Sequence, residues 1–64
     1  MVKINGTFED VAGMTILAYL ENANYDLKRV VVEKNEEIVP KAEYENVVLC
    51  DDDTIEVISF VGGG

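Results

Sequence analysis

The chain has no histidine, no tryptophan and a single cysteine among its 64 residues. Without histidine it has no Ser-His or Cys-His pair, so acid–base chemistry would depend on carboxylates alone. One cysteine cannot form an internal disulfide, and with no histidine beside it the sequence argues against a zinc site. We interpret Cys50 as a small apolar residue at the end of a strand. The aspartates at 51–53 lack the spacing and the later glutamate of an EF-hand loop. We therefore expect no metal, no tightly bound cofactor and no catalytic residues.

Basic residues are also scarce, with five against thirteen acidic ones and a formal net charge of -8. Nucleic-acid binding needs a basic patch, so nucleic acid is not an expected partner. The acidic surface favours solubility and electrostatic steering toward a basic partner surface. No apolar run approaches the roughly 20 residues of a membrane span, and residues 1–6 are too polar for a signal peptide. We expect a cytoplasmic protein with no membrane partner.

The first half of the chain predicts a hairpin followed by one helix. Residues 2–4 favour a short strand, and Asn5-Gly6 is a strong signal for a type I′ turn. A returning strand would begin at Thr7, and we expect Ile4 and Phe8 to point inward. The period then changes, and Thr15 is a candidate N-cap for a helix over about residues 14–22.

The second half predicts three further strands. Residues 29–34 contain three consecutive valines, which favour a strand. Residues 38–39 are expected to form a very short strand that Pro40 stops, and residues 54–61 are expected to form the last strand. Ile58 and Phe60 stand on a face of that last strand that begins with polar residues, which predicts an exposed apolar patch. One helix packed across such a sheet gives an α+β fold. With its first and last strands parallel at the centre, this mixed four- to five-stranded sheet would be a β-grasp, ubiquitin-like domain over residues 1–61.

Residues 62–64 are Gly62, Gly63 and Gly64, and we expect a flexible tail there. Glycine lacks Cβ, so such a tail can pass through a narrow slot and present a carboxylate inside another protein. A free carboxylate is unreactive until it is adenylated, after which a sulfur nucleophile can convert it to a thiocarboxylate. A frayed end or a linker from an expression vector is the alternative interpretation of the tail alone.

Three segments together resemble a known family. They are N-E-E-I-V-P-K at residues 35–41, D-T-I-E-V at residues 53–57 and F-V-G-G-G at residues 60–64. In these the chain resembles the sulfur carriers of thiamin biosynthesis, the ThiS type of the ThiS/MoaD ubiquitin-like group. One departure is Asp52, which stands where many relatives have glycine before the aspartate that opens the last strand.

The resemblance implies a carrier rather than an enzyme. A ThiF-like adenylating enzyme of the ubiquitin-activating type would use ATP to activate the carboxylate of Gly64, with Gly62 and Gly63 threaded into its active site. A sulfur donor such as a cysteine desulfurase would supply the sulfur, and a ThiG-like thiazole synthase would take it up. The resemblance places the docking surface on the sheet face near the tail, which implies a role for the apolar residues Val31, Ile58, Phe60 and Val61.

Two alternatives stay open from the sequence. The chain could carry sulfur for molybdopterin synthesis or tRNA thiolation instead. It could also be a non-covalent binding module on a β-grasp scaffold, because a fold does not fix a function. The two classes differ in whether activity requires Gly64.

Overall fold

A computed structural model describes residues 1–60 of the chain. Residues 61–64, with the predicted sites at Val61, Gly62, Gly63 and Gly64, lie outside the described residues, as does the predicted boundary between domain and tail. Within residues 1–60 the elements follow one another as strands, a helix, strands and a 3₁₀ turn. Their bounds are β1 Val2–Ile4, β2 Thr7–Glu9, α1 Ile16–Asn22, β3 Val30–Lys34, β4 Glu37–Val39, the 3₁₀ turn Lys41–Glu43 and β5 Thr54–Ser59.

The described strands form one mixed sheet in the order β2-β1-β5-β3-β4. The first and last strands, β1 and β5, are parallel neighbours, with Lys3 opposite Thr54 and Ile4 opposite Ile55. The other neighbouring pairs are antiparallel. The prediction of a mixed sheet with the first and last strands parallel at its centre is confirmed, with five strands among residues 1–60.

The first hairpin has a two-residue turn that sets the register of β1 and β2. Asn5 and Gly6 take φ of 49° and 84°, as a type I′ turn requires. Ile4 then pairs with Thr7, and Lys3 pairs with Phe8. Directly opposed residues share a face of the sheet, so Phe8 lies on the outer face with Lys3. The expectation that Ile4 points inward is correct, whereas the same expectation for Phe8 is wrong.

The helix begins where the sequence predicted its cap. The backbone N–H of Ala18 donates to Oγ1 of Thr15 at 3.1 Å, and α1 starts at Ile16, two residues later than the predicted bound. Ile16 and Leu20 are buried, as expected for one helical face, and Tyr19 is buried beside them. Since Thr15 is the cap, Met14 cannot belong to the helix and instead packs at the rim of the core.

A single core lies between α1 and the inner face of the sheet. Its members are apolar or aromatic, and they come from α1, from β1, β3, β4 and β5, and from the connection between β4 and β5. The core residues are Val2, Ile4, Ile16, Tyr19, Leu20, Val30, Val32, Val39, Tyr44, Leu49, Ile55 and Val57.

Candidate docking face and the strand before the tail

Strand β5 presents opposite chemistry on its two faces. Ile55 and Val57 are buried in the core, whereas Glu56 and Ile58 are exposed on the outer face. Phe60 follows the strand, and its backbone N–H donates to the carbonyl of Arg29 at 2.7 Å. Strand pairing with the segment before β3 thus continues to the last described residue, which fixes the point from which the tail leaves.

The structure brings together the described residues of the predicted docking patch. Val31 on β3 lies directly opposite Ile58 on β5, and both are on the outer face. Ile58 is 41% exposed and Phe60 is 58% exposed, while Val31 is half-buried. Three apolar side chains near the start of the tail therefore remain accessible on the part of the chain that the structure describes.

Two exposed apolar residues at the edges of the sheet were not predicted for this face. Ile38 on β4 is 69% exposed and pairs with Glu33. Phe8 on β2 is 66% exposed, and the ammonium of Lys3 lies 5.7 Å from its ring centroid. The register of each hairpin could have predicted both positions. In a hairpin with a two-residue turn, the residues that face each other are fixed by counting outward from the turn, and so is the face of the sheet on which each side chain lies.

The centre of the outer face carries two carboxylates. Glu33 on β3 and Glu56 on β5 are directly opposed in the antiparallel register. They occupy the row next to the pair formed by Val31 and Ile58, and Ile38 lies on the far side of Glu33. The outer face is therefore a mixed surface, apolar toward the tail and acidic in the middle.

Asn5 extends the pairing of β5 beyond the end of β1. Its side-chain Nδ2 donates to the carbonyl of Val57 at 3.2 Å, and its Oδ1 accepts from the N–H of Val57 at 2.8 Å. Its own backbone N–H donates to the carbonyl of Ile55 at 2.9 Å. One side chain thereby replaces a missing strand residue and holds β5 in place just before Ile58.

Asp53 organises the turn that leads into β5. Asp53 is 8% exposed, and its carboxylate accepts from the N–H of Cys50 at 2.9 Å and from Nδ2 of Asn35 at 3.1 Å. The ammonium of Lys34 lies 3.8 Å away. Buried carboxylates require such partners, so Asp53 is structural. It ties the β3–β4 hairpin to the start of β5.

Asp52, the departure noted in the resemblance, has a glycine-like backbone conformation. Asp52 takes φ of 72°, in the left-handed region that favours glycine. Aspartate is among the few other residues that visit it. The backbone N–H of Asp52 donates to the carbonyl of Met1 at 2.9 Å. The turn before β5 is therefore formed with aspartate at this position.

Ionisable groups with clearly shifted pKa values lie away from the docking face. Burial, with the nearby Glu9 charge, raises the pKa of Tyr19 to about 12. Desolvation also raises the pKa of Tyr44. A hydrogen bond to Asp51 raises the pKa of the Met1 amine. Cys50 is exposed, and its thiol lies 3.6 Å from the carbonyl of Val48. The raised pKa values of the two tyrosines follow from burial in the core, and that of the Met1 amine follows from its hydrogen bond to Asp51.

Residues 1–60 contain no group of three or more histidine, cysteine or acidic side chains arranged to hold a metal ion. In the same range, no helix has the length and apolar character needed to cross a membrane.

Comparison with known proteins of similar fold and sequence identifies the family of this chain. The chain superposes on a crystal structure of a thiamine biosynthesis protein, ThiS, from Geobacter metallireducens with a TM-score of 0.77. That match covers 98% of this chain and 97% of the other at 24% identity, which supports the β-grasp fold. Residues 2–64 match the family model of the ThiS family. The chain belongs to the ThiS family.

Relatives with stronger sequence identity carry two kinds of name. The chain is 48% identical to the sulfur carrier protein ThiS of Bacillus subtilis over the full length of both proteins. It is 45% identical, over 83% of its length, to a thiazole synthase of Paramagnetospirillum magneticum, of which it spans 16%. It is 42% identical, over 98% of its length, to a thiazole synthase of Magnetococcus marinus, of which it spans 20%.

Proposed function

We propose that this protein carries sulfur for thiazole formation in thiamin biosynthesis, as a thiocarboxylate on Gly64. The observation that carries the proposal is the match to the Bacillus subtilis sulfur carrier over the whole of both chains. The family match also runs through residue 64 and so includes the glycine tail. The chain acts as the substrate of a partner enzyme and not as a catalyst.

Two substitutions describe the chemistry, the first at the α-phosphorus of ATP and the second at the carbonyl carbon of Gly64. An oxygen of the Gly64 carboxylate attacks the α-phosphorus of ATP, pyrophosphate leaves, and an acyl adenylate forms. A sulfur nucleophile then attacks the acyl carbon, the C–O bond to AMP breaks, and AMP departs as the leaving group. With hydrosulfide as the nucleophile the product is the thiocarboxylate directly, and no oxidant or reductant is needed. A ThiF-like enzyme supplies the ATP site. A donor such as a cysteine desulfurase supplies the sulfur as a persulfide, which gives an acyl disulfide on displacing AMP, and a thiol reductant then cleaves the S–S bond to release the thiocarboxylate.

Geometry limits where the adenylating enzyme can bind. Gly64 is the fourth residue after Phe60, and an extended chain spans at most about 3.6 Å per residue, so Gly64 lies within roughly 14 Å of Phe60. An active site that acts on Gly64 therefore also meets the surface around Phe60. The exposed pair of Ile58 and Val31 adjoins that surface. We propose these residues and Val61 as the docking contact, with Gly62 and Gly63 entering the active site.

Thiazole synthase is the proposed acceptor of the sulfur. The two thiazole synthases above each contain a segment similar to this chain, as one sixth to one fifth of their length. A carrier-like segment within a thiazole synthase supports a functional link between the two activities. We place the chemistry in the cytoplasm, where ATP is available.

High-resolution intact mass spectrometry tests the proposal. The chain is incubated with the ThiF-like enzyme, ATP and sulfide, and we expect a mass gain equal to the exchange of one oxygen for sulfur. High resolution is needed because oxidation of Met1, Met14 or Cys50 adds nearly the same mass. A variant without Gly64 is the matched control and should show no gain. If the enzyme is active on another carrier but leaves this chain unchanged, the chain is a non-covalent binding module.

A further inference from the structure

Glu33 and Glu56 place two like-charged side chains opposite each other in the middle of the outer face. Each belongs to a central strand, and the two residues are directly opposed across β3 and β5. Like charges at directly opposed positions of an antiparallel pair destabilise a sheet. A sequence selected for folding alone would place opposite charges or neutral side chains at these positions.

No ion pair within residues 1–60 joins Glu33 or Glu56 to a cation. The ion pairs of the described residues join the Met1 amine to Asp51, Arg29 to Asp26 and Lys34 to Asp53. Lys3 is on the same face, but its ammonium lies over the ring of Phe8.

The surroundings of the two carboxylates determine what can cover them. Val31 and Ile58 fill the neighbouring row, and Ile38 is the next residue across from Glu33. A protein surface that packs on these apolar side chains also removes water from Glu33 and Glu56. Desolvated carboxylates are costly unless a cation pairs with them. An arginine fits best, because its planar guanidinium has five donors and can bridge two carboxylates.

A second copy of this chain does not supply that chemistry. Each copy has a net charge of -8, and face-to-face packing would bring four carboxylates together. A partner with an apolar surface and a central basic side chain is complementary in both respects.

We infer that the adenylating enzyme binds the outer sheet face with an arginine placed between Glu33 and Glu56 and apolar side chains packed on Val31, Ile58 and Ile38. This inference rests on the proposed function, in which that enzyme is the first to act on Gly64. It assigns Glu33 and Glu56 as the specificity-determining residues of the docking face. The arginine would neutralise the two carboxylates on binding.

One substitution separates this role from a structural one. Glu56→Lys converts the like-charged pair into an opposite pair within the chain, which should stabilise the free fold while removing the site for the partner's arginine. We expect the Tm to rise by about 1–5 °C and the affinity for the purified adenylating enzyme to fall about tenfold or more. A residue with only a structural role would move stability and affinity in the same direction.

Glu45→Lys is the matched control. Glu45 is exposed beside Leu17 of α1, on the helix side of the molecule, and its substitution makes the same change in net charge. It accounts for the loss of long-range attraction and should alter mainly the association rate. Glu33→Gln/Glu56→Gln removes both charges without adding one. This double variant should leave the Tm unchanged or higher while it also accelerates dissociation.

Affinity, thermal stability and adenylation are measured for each variant by calorimetry, thermal unfolding and ATP–pyrophosphate exchange. Equal affinities for Glu56→Lys and Glu45→Lys overturn the inference alone. Binding of the unaltered chain without adenylation overturns the proposed function, and the comparison of variants still decides the role of the glutamates. No binding of the unaltered chain overturns both. If the glutamate variants lose affinity only for thiazole synthase, that enzyme is the occupant of the face and the inference is overturned. If the unaltered chain forms a dimer that Ile58→Asp abolishes, the occupant is a second copy and the inference is likewise overturned.

Discussion

The two faces of the sheet differ in burial and in side-chain chemistry although they are built from the same strands. On the inner face of β5, Ile55 and Val57 are almost completely buried against α1. On the outer face of the same strand, Ile58 is an exposed apolar residue, and Glu56 opposes another glutamate. The inner face matches what folding requires of a half-buried strand.

The outer face departs from those requirements in two ways at once. It exposes large apolar side chains that contribute little to folding, and it opposes like charges where the sheet would favour unlike ones. Departures from local consistency concentrate at functional sites. The contrast therefore indicates that the inner face determines whether the chain folds, and it supports the proposal that the outer face is the docking surface.

The largest expected effect comes from comparing two isoleucines of β5. Ile55→Ala removes a side chain that is 2% exposed and should reduce the free energy of unfolding by about 2–5 kcal/mol. For a domain of this size, that is a large part of a total of roughly 3–10 kcal/mol. Ile58→Ala, on the opposite face, should change it by about 0.5 kcal/mol or less.

Urea unfolding followed by far-UV circular dichroism measures both variants, since the chain has no tryptophan. Equal losses of stability for Ile55→Ala and Ile58→Ala would show that the outer face also belongs to the core. The claim that only the inner face stabilises the fold would then be wrong.

Phe60→Ala should affect binding more than folding. The Phe60 side chain is exposed beside the start of the tail, and only its backbone is tied to the fold. We expect the affinity for the adenylating enzyme to fall about 10–100-fold, with stability changed by about 0.5 kcal/mol or less. The control is Phe8→Ala at the far edge of the same face, where the phenylalanine is 66% exposed against 58% for Phe60. A large loss of thermal stability with unchanged affinity would contradict this prediction.

On the helix side, burial should appear as a dependence of stability on pH. The pKa of Tyr19 is raised to about 12 from an ordinary value of 10 by burial, with further contributions from Glu9 and Tyr25. The folded state therefore holds the phenol proton more tightly than the unfolded state does. The resulting stability is fully present below pH 10 and is lost as the pH rises toward 12.

Tyr19→Phe isolates this effect. Between pH 9 and pH 11 the unaltered chain should lose more free energy of unfolding than Tyr19→Phe, because phenylalanine has no proton to release. Urea unfolding of both proteins at the two pH values gives the comparison. Parallel losses would mean that ionisation of Tyr19 is not linked to folding.

The sequence predicted most of the fold because short-range signals determine it. Asn5-Gly6 located the first turn, Thr15 located the helix start, and the alternation in β5 placed Ile58 outward. Phe8 was misplaced because it was assigned as an apolar residue without following the register across the turn. The bonds from Asn5 to Val57 and from Asn35 to Asp53 join positions far apart in sequence, and no local pattern reveals them.

The candidate site was predicted less completely, for a related reason. Ile58 and Phe60 were visible within one strand, whereas the opposition of Glu33 and Glu56 depends on how β3 aligns with β5. Such pairing between distant strands is fixed by the core on the other face. The composition of the outer face therefore became evident only when the strands were placed side by side.

The smallest expected effect concerns Asp52, which should belong to the scaffold and not to the docking face. Its φ of 72° is strained for any residue with a Cβ, and aspartate only partly offsets that cost. Asp52→Gly relieves the strain but gives the unfolded chain more freedom, so we expect a net gain of about 0.5 kcal/mol. Asp52→Ala removes the same charge and keeps the Cβ, so it should be about 1 kcal/mol less stable than Asp52→Gly. Thermal unfolding resolves this difference, because about 1 kcal/mol corresponds to roughly 4–8 °C in a domain of this size.

Both variants should bind the adenylating enzyme with equal affinity. A difference in affinity between the two would mean that the turn before β5 contacts the partner, and the docking face would then extend beyond the outer side of the sheet.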